Sequence, residues 1–397
     1  MSSEVKKYGY IDSLRGLAIL LVIIVHAALH FQALSPEIFF LTFKGQYGVQ
    51  LFFITSALTL FLSFEQRINV DKSNTVKFFL IRRFFRIAPA FYLAILFYAI
   101  QMVSKPVSTF PNHVSLLNVV LSTFFINGFF PTSINYVPPG GWSVAIEMIF
   151  YLLIPFLFAR IKSLKLAVVY FFATLVFGIA CNYLGAYLMV HYTNLDYAYQ
   201  KTWYFYFWLP NQLPIFMLGI ILFHLLKQPI KIGKTAASLL VLLSCLGLLG
   251  VFYGIKYFKL EDVVPEHVLV GILFSCIVFA MSQARLSLLE NRVTRYLGKL
   301  SFSMYLWHFF VLECVAFVIR RVLPVAPFIQ LAALYIAAIP LICIVSSISY
   351  NKVEVTGMKW GKKVIDRMQG KPAYTKISGG KPADNPPPAG KPAEASA

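Results

Sequence analysis

Residues 10–34 of the chain read YIDSLRGLAILLVIIVHAALHFQAL. From residue 13 onward this stretch is predominantly apolar, and three ionisable side chains interrupt it: Arg15, His26 and His30. About 20 apolar residues are enough for an α-helix to cross the hydrocarbon core of a bilayer. The stretch therefore predicts a membrane-spanning helix whose ionisable residues need a functional or structural reason to be there.

Nine further segments meet the same criterion. The sequence therefore predicts an all-α, polytopic integral membrane protein with about ten transmembrane helices. The shorter apolar stretch 114–130, which Pro131 ends, is expected to be re-entrant or interfacial. The ten expected spans are residues 13–34, 45–66, 77–104, 142–159, 164–190, 203–226, 236–258, 265–282, 301–322 and 327–349.

The composition agrees with a membrane protein. Of the 397 residues, 59% are hydrophobic and 13% are charged, whereas soluble domains usually carry about 25% charged residues. The net charge is +19, but the basic residues lie in short segments between apolar runs, which argues against nucleic-acid binding. All five cysteines lie in apolar runs without a C-x-x-C pair, so no zinc or other metal site and no disulfide framework is expected.

The basic residues also predict the orientation of the spans. With the N-terminus in the cytoplasm, seven of the 35 lysines and arginines fall on the outer side. Cytoplasmic loops of membrane proteins carry the excess of Lys and Arg. Ten spans with both termini in the cytoplasm is therefore the favoured topology.

Two parts of different composition are expected: a transmembrane domain over residues 1–350 and a basic, Pro/Gly-rich cytoplasmic tail over 351–397. The tail repeats Gly-Lys-Pro-Ala at 370–373, 380–383 and 390–393. Proline blocks helix interiors and the tail has little apolar surface to bury, so it is expected to be disordered. It is either a solvated linker or a segment attracted to anionic lipid headgroups.

Arg15 and His26 are candidate catalytic residues of the first span. They are eleven positions apart in the sequence, so they lie about 20° apart around the helix and about 16 Å apart along it. An arginine and a histidine on one face of a membrane helix favour a functional site. A hydrogen-bonded core histidine is the alternative for His26.

The fourth expected span supplies a carboxylate. It begins at the outer interface with Trp142 and Ser143, and Glu147 lies about 7–8 Å further in. This depth is compatible with that of His26, and a carboxylate beside an imidazole fixes its tautomer and raises its basicity. Glu147 is therefore predicted to orient His26. A structural Glu–Arg or Glu–His pair is the alternative.

The cytoplasmic end of the third expected span carries Arg82, Arg83 and Arg86. Arg82 and Arg86 are four residues apart and share a helical face. Guanidinium groups match phosphate oxygens, so the cluster is a candidate site for a phosphorylated cytosolic donor. Anchoring by the positive-inside rule is the alternative.

The ninth expected span contains another histidine. His308 is expected about 10–12 Å into the membrane from the cytoplasmic side. It either binds substrate or is a structural hydrogen-bonding residue, and the sequence leaves both open.

Five blocks of the chain together resemble the membrane-bound acyltransferase family 3. In the first, residues 10–18 lead to His26, and the spacing of Arg15, ten residues and His26 matches the hallmark of that family. The resemblance extends over about residues 8–350, and no SGNH-type hydrolase domain follows, so a stand-alone form is expected. The other four blocks, in the order of the family, are residues 48–53, 82–89, 142–147 and 301–308.

The resemblance implies an enzyme of the bacterial cytoplasmic membrane that moves an acyl group, usually acetyl, from acetyl-CoA to a hydroxyl group. The implied acceptor is a saccharide or glycolipid of the cell envelope, and His26 is either the general base or the acyl acceptor. The candidate residues are Arg15, His26 and Glu147 for catalysis, Arg82, Arg83 and Arg86 for the donor, and Trp142, Ser143 and His308 for the substrate.

Two other classes of protein stay open at this point. A secondary transporter or lipid flippase would also have ten spans with buried charges, although no inverted repeat is evident between the halves of the chain. A membrane scaffold or sensor would tolerate the loss of His26 and Glu147, which an acyltransferase would not.

Overall fold

A computed structural model describes residues 8–31, 34–104, 115–196, 200–201, 203–260 and 265–370. Within these ranges the regular structure is helical throughout, with no β-strand. The prediction of an all-α fold is therefore confirmed.

Within the described residues, ten long helices make up most of the structure, and shorter helices connect or extend them. The long helices are α1 (Gly9–Ala28), α3 (Gly48–Asp71), α4 (Thr75–Ser104), α6 (Gly141–Arg160), α7 (Leu164–Tyr192), α9 (Leu209–Leu225), α10 (Lys234–Phe258), α11 (Glu266–Gln283), α12 (Arg292–Val322) and α13 (Pro327–Ser349). The short helices are α2 (Pro36–Phe43), α5 (Leu116–Thr123), α8 (Tyr204–Phe207) and α14 (Val355–Met368).

Each of the ten expected spans falls on one of these long helices. By length and apolar composition, the described residues contain nine candidate membrane-spanning segments. The count is nine because the segment Pro36–Met102 includes both α3 and α4, which only the short 3₁₀ turn Lys72–Asn74 separates. The chain is thus a multi-pass membrane protein, while the orientation of its termini stays a prediction.

In its described part, the apolar stretch that was expected to be re-entrant or interfacial contains the short helix α5 and a 3₁₀ turn, Asn127–Phe129. Helix α5 has eight residues, far fewer than the ~20 that a span requires. Ser115 caps it by accepting a hydrogen bond from the backbone N–H of Asn118. Residues 105–114 lie outside the described residues.

Glycines allow helices α1 and α12 to pack backbone to backbone. A Cβ atom at Gly298 of α12 would lie 1.7 Å from the carbonyl oxygen of Asp12, and one at Gly16 of α1 would lie 2.1 Å from that of Thr294. Small residues permit such close approach between membrane helices. Ser13 and Thr294 also share a hydrogen bond of 3.0 Å at this crossing. The crossing brings the polar residues of α1 beside those of α12.

The helical part of the chain extends beyond the expected boundary at residue 350. A π-helical turn, Tyr350–Glu354, continues α13 into α14, which packs against α4. A Cβ atom at Gly357 would lie 2.5 Å from the carbonyl oxygen of Phe85. The expectation of a disordered tail from residue 351 is therefore wrong for residues 351–368, and 371–397 lie outside the described residues.

The physical reason for the extended helix is a pattern that the composition of the tail hides. The buried residues of this segment recur every three or four positions, which gives α14 one face to pack against the transmembrane helices. The Gly-Lys-Pro-Ala repeats begin only at residue 370. The buried residues are Glu354, Gly357, Gly361 and Ile365.

Candidate functional site

A pocket of mixed polarity lies among helices α1, α3, α4, α6 and α12. It contains about 710 Å³ of space without protein atoms, part of it open to the surroundings. Phenylalanine and aliphatic side chains form part of the wall. The charged residues that line the pocket are Arg15, Arg83, Arg86 and Glu147, and its hydroxyl groups come from Ser56, Thr59, Ser143, Tyr151, Ser301 and Tyr305.

Glu147 is held in this pocket by hydroxyl groups. Tyr151, one helical turn further along α6, donates a hydrogen bond of 2.7 Å to Oε1 of Glu147. Ser56 of α3 donates a hydrogen bond to the same oxygen. The carboxylate is therefore fixed in position while it faces the pocket.

Three guanidinium groups share the pocket with this single carboxylate. Arg15 donates a hydrogen bond of 3.3 Å to Oγ1 of Thr59, and the guanidinium of Arg83 lies 5.4 Å from the ring centroid of Phe79. Within the described residues, neither Arg83 nor Arg86 forms an ion pair with a carboxylate. The pocket thus carries an excess of positive charge and can bind an anion.

The arginine cluster differs from the prediction at one position. Arg83 and Arg86 line the pocket, but Arg82 forms an ion pair with Asp71, at the end of the preceding helix. Residues three apart on a helix are neighbours just as residues four apart are, so the spacing did not distinguish the two pairs. Of the three arginines in this cluster, only Arg83 and Arg86 can contact a molecule in the pocket.

His26 lies against α12 and does not line this pocket. The ring centroids of His26 and His308 are 5.1 Å apart, and Phe309 packs on both rings, at 4.3 Å and 4.1 Å. Tyr305, which lines the pocket, lies 5.7 Å from His308 by ring centroids. The two histidines thus form a pair next to Tyr305, and neither of them lines the pocket.

The expected hydrogen bond between Glu147 and His26 is not found. The hydrogen bonds of Glu147 go to Ser56 and Tyr151, and within the described residues His26 makes none. Matching depths in two spans do not make the two helices neighbours, and the glycine crossing turns α1 toward α12. The interpretation that Glu147 orients His26 is not supported by this geometry.

Ser143 and Trp142 have different environments. Ser143 lines the pocket and donates a hydrogen bond of 2.8 Å to the hydroxyl of Tyr305, which donates in turn to the carbonyl of Gly140. Trp142 is 5% exposed and stacks on Phe207, with ring centroids 4.3 Å apart. Ser143 can therefore contact a molecule in the pocket, whereas Trp142 is part of the packed core.

Several residues that line the pocket were not predicted from the sequence. Tyr151 lies four residues after Glu147, and this helical spacing was a usable signal. Ser56 and Thr59 are small polar residues in an apolar helix, a pattern that is equally typical of helix packing. Tyr305 lies in the quoted block 301–308 but was not singled out.

The residues present fit a phosphorylated acyl donor better than a metal ion. Arg83 and Arg86 could bind phosphate oxygens, and the apolar wall of the pocket could contact an uncharged arm. Within the described residues, no group of three or more His, Cys, Asp or Glu side chains is arranged to hold a metal.

Comparison with known proteins gives the family of the chain. A family model described as an acyltransferase domain, of acyltransferase family 3, matches residues 8–347. The chain is 25% identical over 390 residues to the "Putative O-acetyltransferase" of Staphylococcus aureus strain COL, which covers 92% of this chain and 60% of that protein. It is 26% identical over 313 residues to the "Putative acetyltransferase" of Acidianus two-tailed virus, covering 78% of this chain and 84% of that protein.

The staphylococcal relatives are longer proteins, so the chain spans about 60% of their length. No solved structure matches the chain. The family model covers nearly all of the described helices, including every residue of the pocket and both histidines beside it. The chain therefore belongs to the membrane acyltransferase family 3.

Proposed function

We propose that the protein is an O-acyltransferase of the bacterial cell membrane. It moves an acetyl group from cytosolic acetyl-CoA to a hydroxyl of a saccharide or glycolipid of the cell envelope. The observation that carries the proposal is the pocket itself, in which Arg15, Arg83 and Arg86 face one carboxylate, Glu147, in a chain of the acyltransferase 3 family. The name O-acetyltransferase, which the staphylococcal relatives carry, supports acetyl as the acyl group and oxygen as its acceptor.

The donor is proposed to bind with its phosphates at Arg83 and Arg86. Both lie in the half of α4 that the positive-inside rule assigns to the cytoplasm. Planar guanidinium groups bind phosphate oxygens through paired hydrogen bonds. Arg82 is occupied by Asp71 and has no proposed contact with the donor.

The acyl end of the donor is proposed to pass Arg15 toward the histidine pair. Arg15 lies at the pocket wall near the start of α1, and His26 lies three turns further along the same helix. His26 then acts as general base on the acceptor hydroxyl, or takes the acyl group itself in a two-step route. Glu147, held by Tyr151 and Ser56, is proposed to offset the positive charge of the pocket around the donor.

The experiment that tests this function is transfer of label from radiolabelled acetyl-CoA in membranes that contain the protein. Wild type, His26→Ala and Glu147→Gln are compared at matched protein levels, with Cys245→Ser as control because Cys245 is exposed on α10. We expect label in an envelope glycan or lipid with wild type and the control, and little with the other two. Equal labelling by all four variants would contradict the roles proposed for His26 and Glu147.

A further inference from the structure

One nitrogen of His308 is buried without a hydrogen-bond partner. The side chain of His308 is 0% exposed, and within the described residues its Nε2 atom has no hydrogen-bond partner. Buried polar atoms are hydrogen-bonded in the great majority of cases. A buried, unpartnered nitrogen beside a candidate catalytic residue therefore calls for a chemical explanation.

The other ring nitrogen fixes the tautomer of His308. Nδ1 lies 2.8 Å from the carbonyl oxygen of Tyr305 and 3.2 Å from that of Met304. A carbonyl oxygen can only accept a hydrogen bond, so Nδ1 carries the hydrogen. In a neutral imidazole the second nitrogen then holds a lone pair. Nε2 of His308 is thus a proton acceptor.

This proton acceptor lies beside His26. Because Nδ1 is hydrogen-bonded to the backbone of α12, Nε2 lies at the edge of the imidazole ring that does not face these carbonyl oxygens. The imidazole of His26, on the neighbouring helix, is 5.1 Å away by ring centroids, with an angle of 45° between the rings. Phe309 contacts both imidazoles and adds an apolar wall.

We propose that His308 is the general base of the acyl transfer and accepts the proton of the acceptor hydroxyl at Nε2. This inference rests on the proposed function. His308 suits the role better than His26, because hydrogen bonds fix its tautomer, whereas within the described residues His26 makes no hydrogen bond. The assignment leaves His26 as the residue that receives or positions the acyl group.

The reaction balances without another reactant. The hydroxyl oxygen attacks the acyl carbonyl carbon, a C–O bond forms, and the hydroxyl proton moves to Nε2 of His308. In a two-step route, a C–N bond from the carbonyl carbon to His26 forms first and breaks when the hydroxyl attacks, which leaves His26 unchanged. In either route the bond from the carbonyl carbon to the thioester sulfur breaks, in the same step or, in the two-step route, when His26 takes the acyl group. The electron pair of that bond stays on sulfur, and the thiolate takes up the proton in the end, so that free CoA thiol and the ester are the products.

The test compares His308→Asn with Trp307→Phe. An asparagine amide can still donate to the carbonyl of Tyr305 but has no basic nitrogen. Trp307 is the matched control, since it is the preceding residue of α12 and packs on Phe97, away from His26. General base catalysis typically contributes 10²- to 10⁴-fold, so we expect kcat of His308→Asn to fall by about that factor with the KM for acetyl-CoA changed by less than about threefold. Trp307→Phe is expected to stay within about threefold of wild type in kcat.

A second measurement reads the state of His308 without any activity. The protein is labelled with ¹⁵N-histidine, and the resonance that is missing in His308→Asn is assigned to His308. We expect an unprotonated nitrogen at Nε2 and a protonated one at Nδ1.

The outcomes separate this inference from the proposed function. Transfer by His308→Asn within threefold of wild type, or a proton on Nε2, overturns the role of His308 and leaves the acyltransferase function intact. Wild-type protein that transfers no acyl group from any acyl-CoA overturns both.

Discussion

Helices α1 and α10 are both strongly apolar, yet their surroundings are opposite. In the most apolar 18-residue window of each helix, 61% of the residues of α1 are buried inside the protein, against 11% for α10. Gly16 of α1 would meet a backbone oxygen at 2.1 Å if it carried a Cβ, whereas Gly250 and Gly254 of α10 would meet no described atom within 4 Å. Apolar character decides that a helix enters the membrane, but neither apolar character nor glycine content decides whether it enters the core, since α10 has both and stays exposed.

The same contrast separates the helices that carry Arg15 and Glu147 from the most exposed helices. Arg15 lies on α1 and Glu147 on α6, and 61% and 50% of the residues in the corresponding windows are buried. Helices α7 and α10 are buried to 17% and 11% and contribute no residue to the pocket. Burial by other helices thus accompanies Arg15 and Glu147 but does not define the site by itself, since the segment Tyr204–Leu225 and α11 are buried to 61% and 50% and contribute no residue to the pocket.

The largest difference in kcat is expected between a histidine replaced on a buried helix and one replaced on an exposed helix. His26→Ala should lower kcat for acetyl transfer by about 10²- to 10⁴-fold, because the residue receives or positions the acyl group beside the general base. His191→Ala, at the exposed end of α7, should leave kcat within about twofold. Steady-state transfer to the native acceptor measures both, and a comparable loss in His191→Ala would break the comparison.

The arginines of α4 allow a sharper test within one helix. Arg86→Ala should raise the KM for acetyl-CoA by roughly 10- to 100-fold, because a charge-assisted hydrogen bond contributes about 1.5–3 kcal/mol. Arg82→Ala removes an equal charge from the same helix, but Arg82 contacts Asp71 outside the pocket, so its KM should change by less than about threefold. Equal effects would mean that overall positive charge, and not the pocket, binds the donor.

Glycine substitutions test the packing side of the comparison. Gly298→Ala places a methyl group 1.7 Å from the carbonyl oxygen of Asp12 and should destabilise the protein by about 1–3 kcal/mol, the range for overpacked cores. Gly254→Ala on α10 should be neutral or slightly stabilising, since alanine favours helices by up to ~1 kcal/mol. Thermal unfolding in detergent measures both, and equal melting temperatures would contradict the close crossing of α1 and α12.

The smallest effect is expected for apolar exchanges on α10. Leu242→Ile combined with Leu246→Ile changes two exposed side chains and should alter neither the melting temperature nor kcat, beyond about 2 °C and twofold. The same assays serve here. A large effect would show that this face of α10 is covered in the functional assembly.

The sequence predicted the spans well because length and apolar content decide membrane insertion before any tertiary contact forms. It also placed Arg15, His26 and Glu147 near the site, since ionisable residues are costly in a span. It could not predict that His26 meets His308 and that Glu147 meets Tyr151 and Ser56. Those contacts depend on which helices are neighbours. Gly16 and Gly298 allow α1 and α12 to be neighbours, but the amino-acid composition does not show which glycines lie at a helix crossing.

Two smaller differences between the prediction and the structure also arise from contacts between helices. Arg82 and Arg83 are adjacent in sequence, and only the position of Asp71 shows which of them is drawn away from the pocket. The segment after residue 350 looked like the start of a tail because of its basic composition, but the spacing of Gly357 and Gly361 gives it a face to bury against Phe85.

Because of the π-helical turn at Tyr350–Glu354, the number of residues between α13 and α14 determines which face of α14 packs against α4. Such a turn holds one residue more than an α-helical turn, and each residue rotates everything that follows by about 100°. Deleting or inserting a single residue there would swing Gly357 and Gly361 off α4, although no contact residue had changed. Homologues are therefore expected to keep the number of residues from 350 to 354 even where the exposed residues Asn351 and Lys352 differ, a pattern of insertions and deletions that an alignment can reveal.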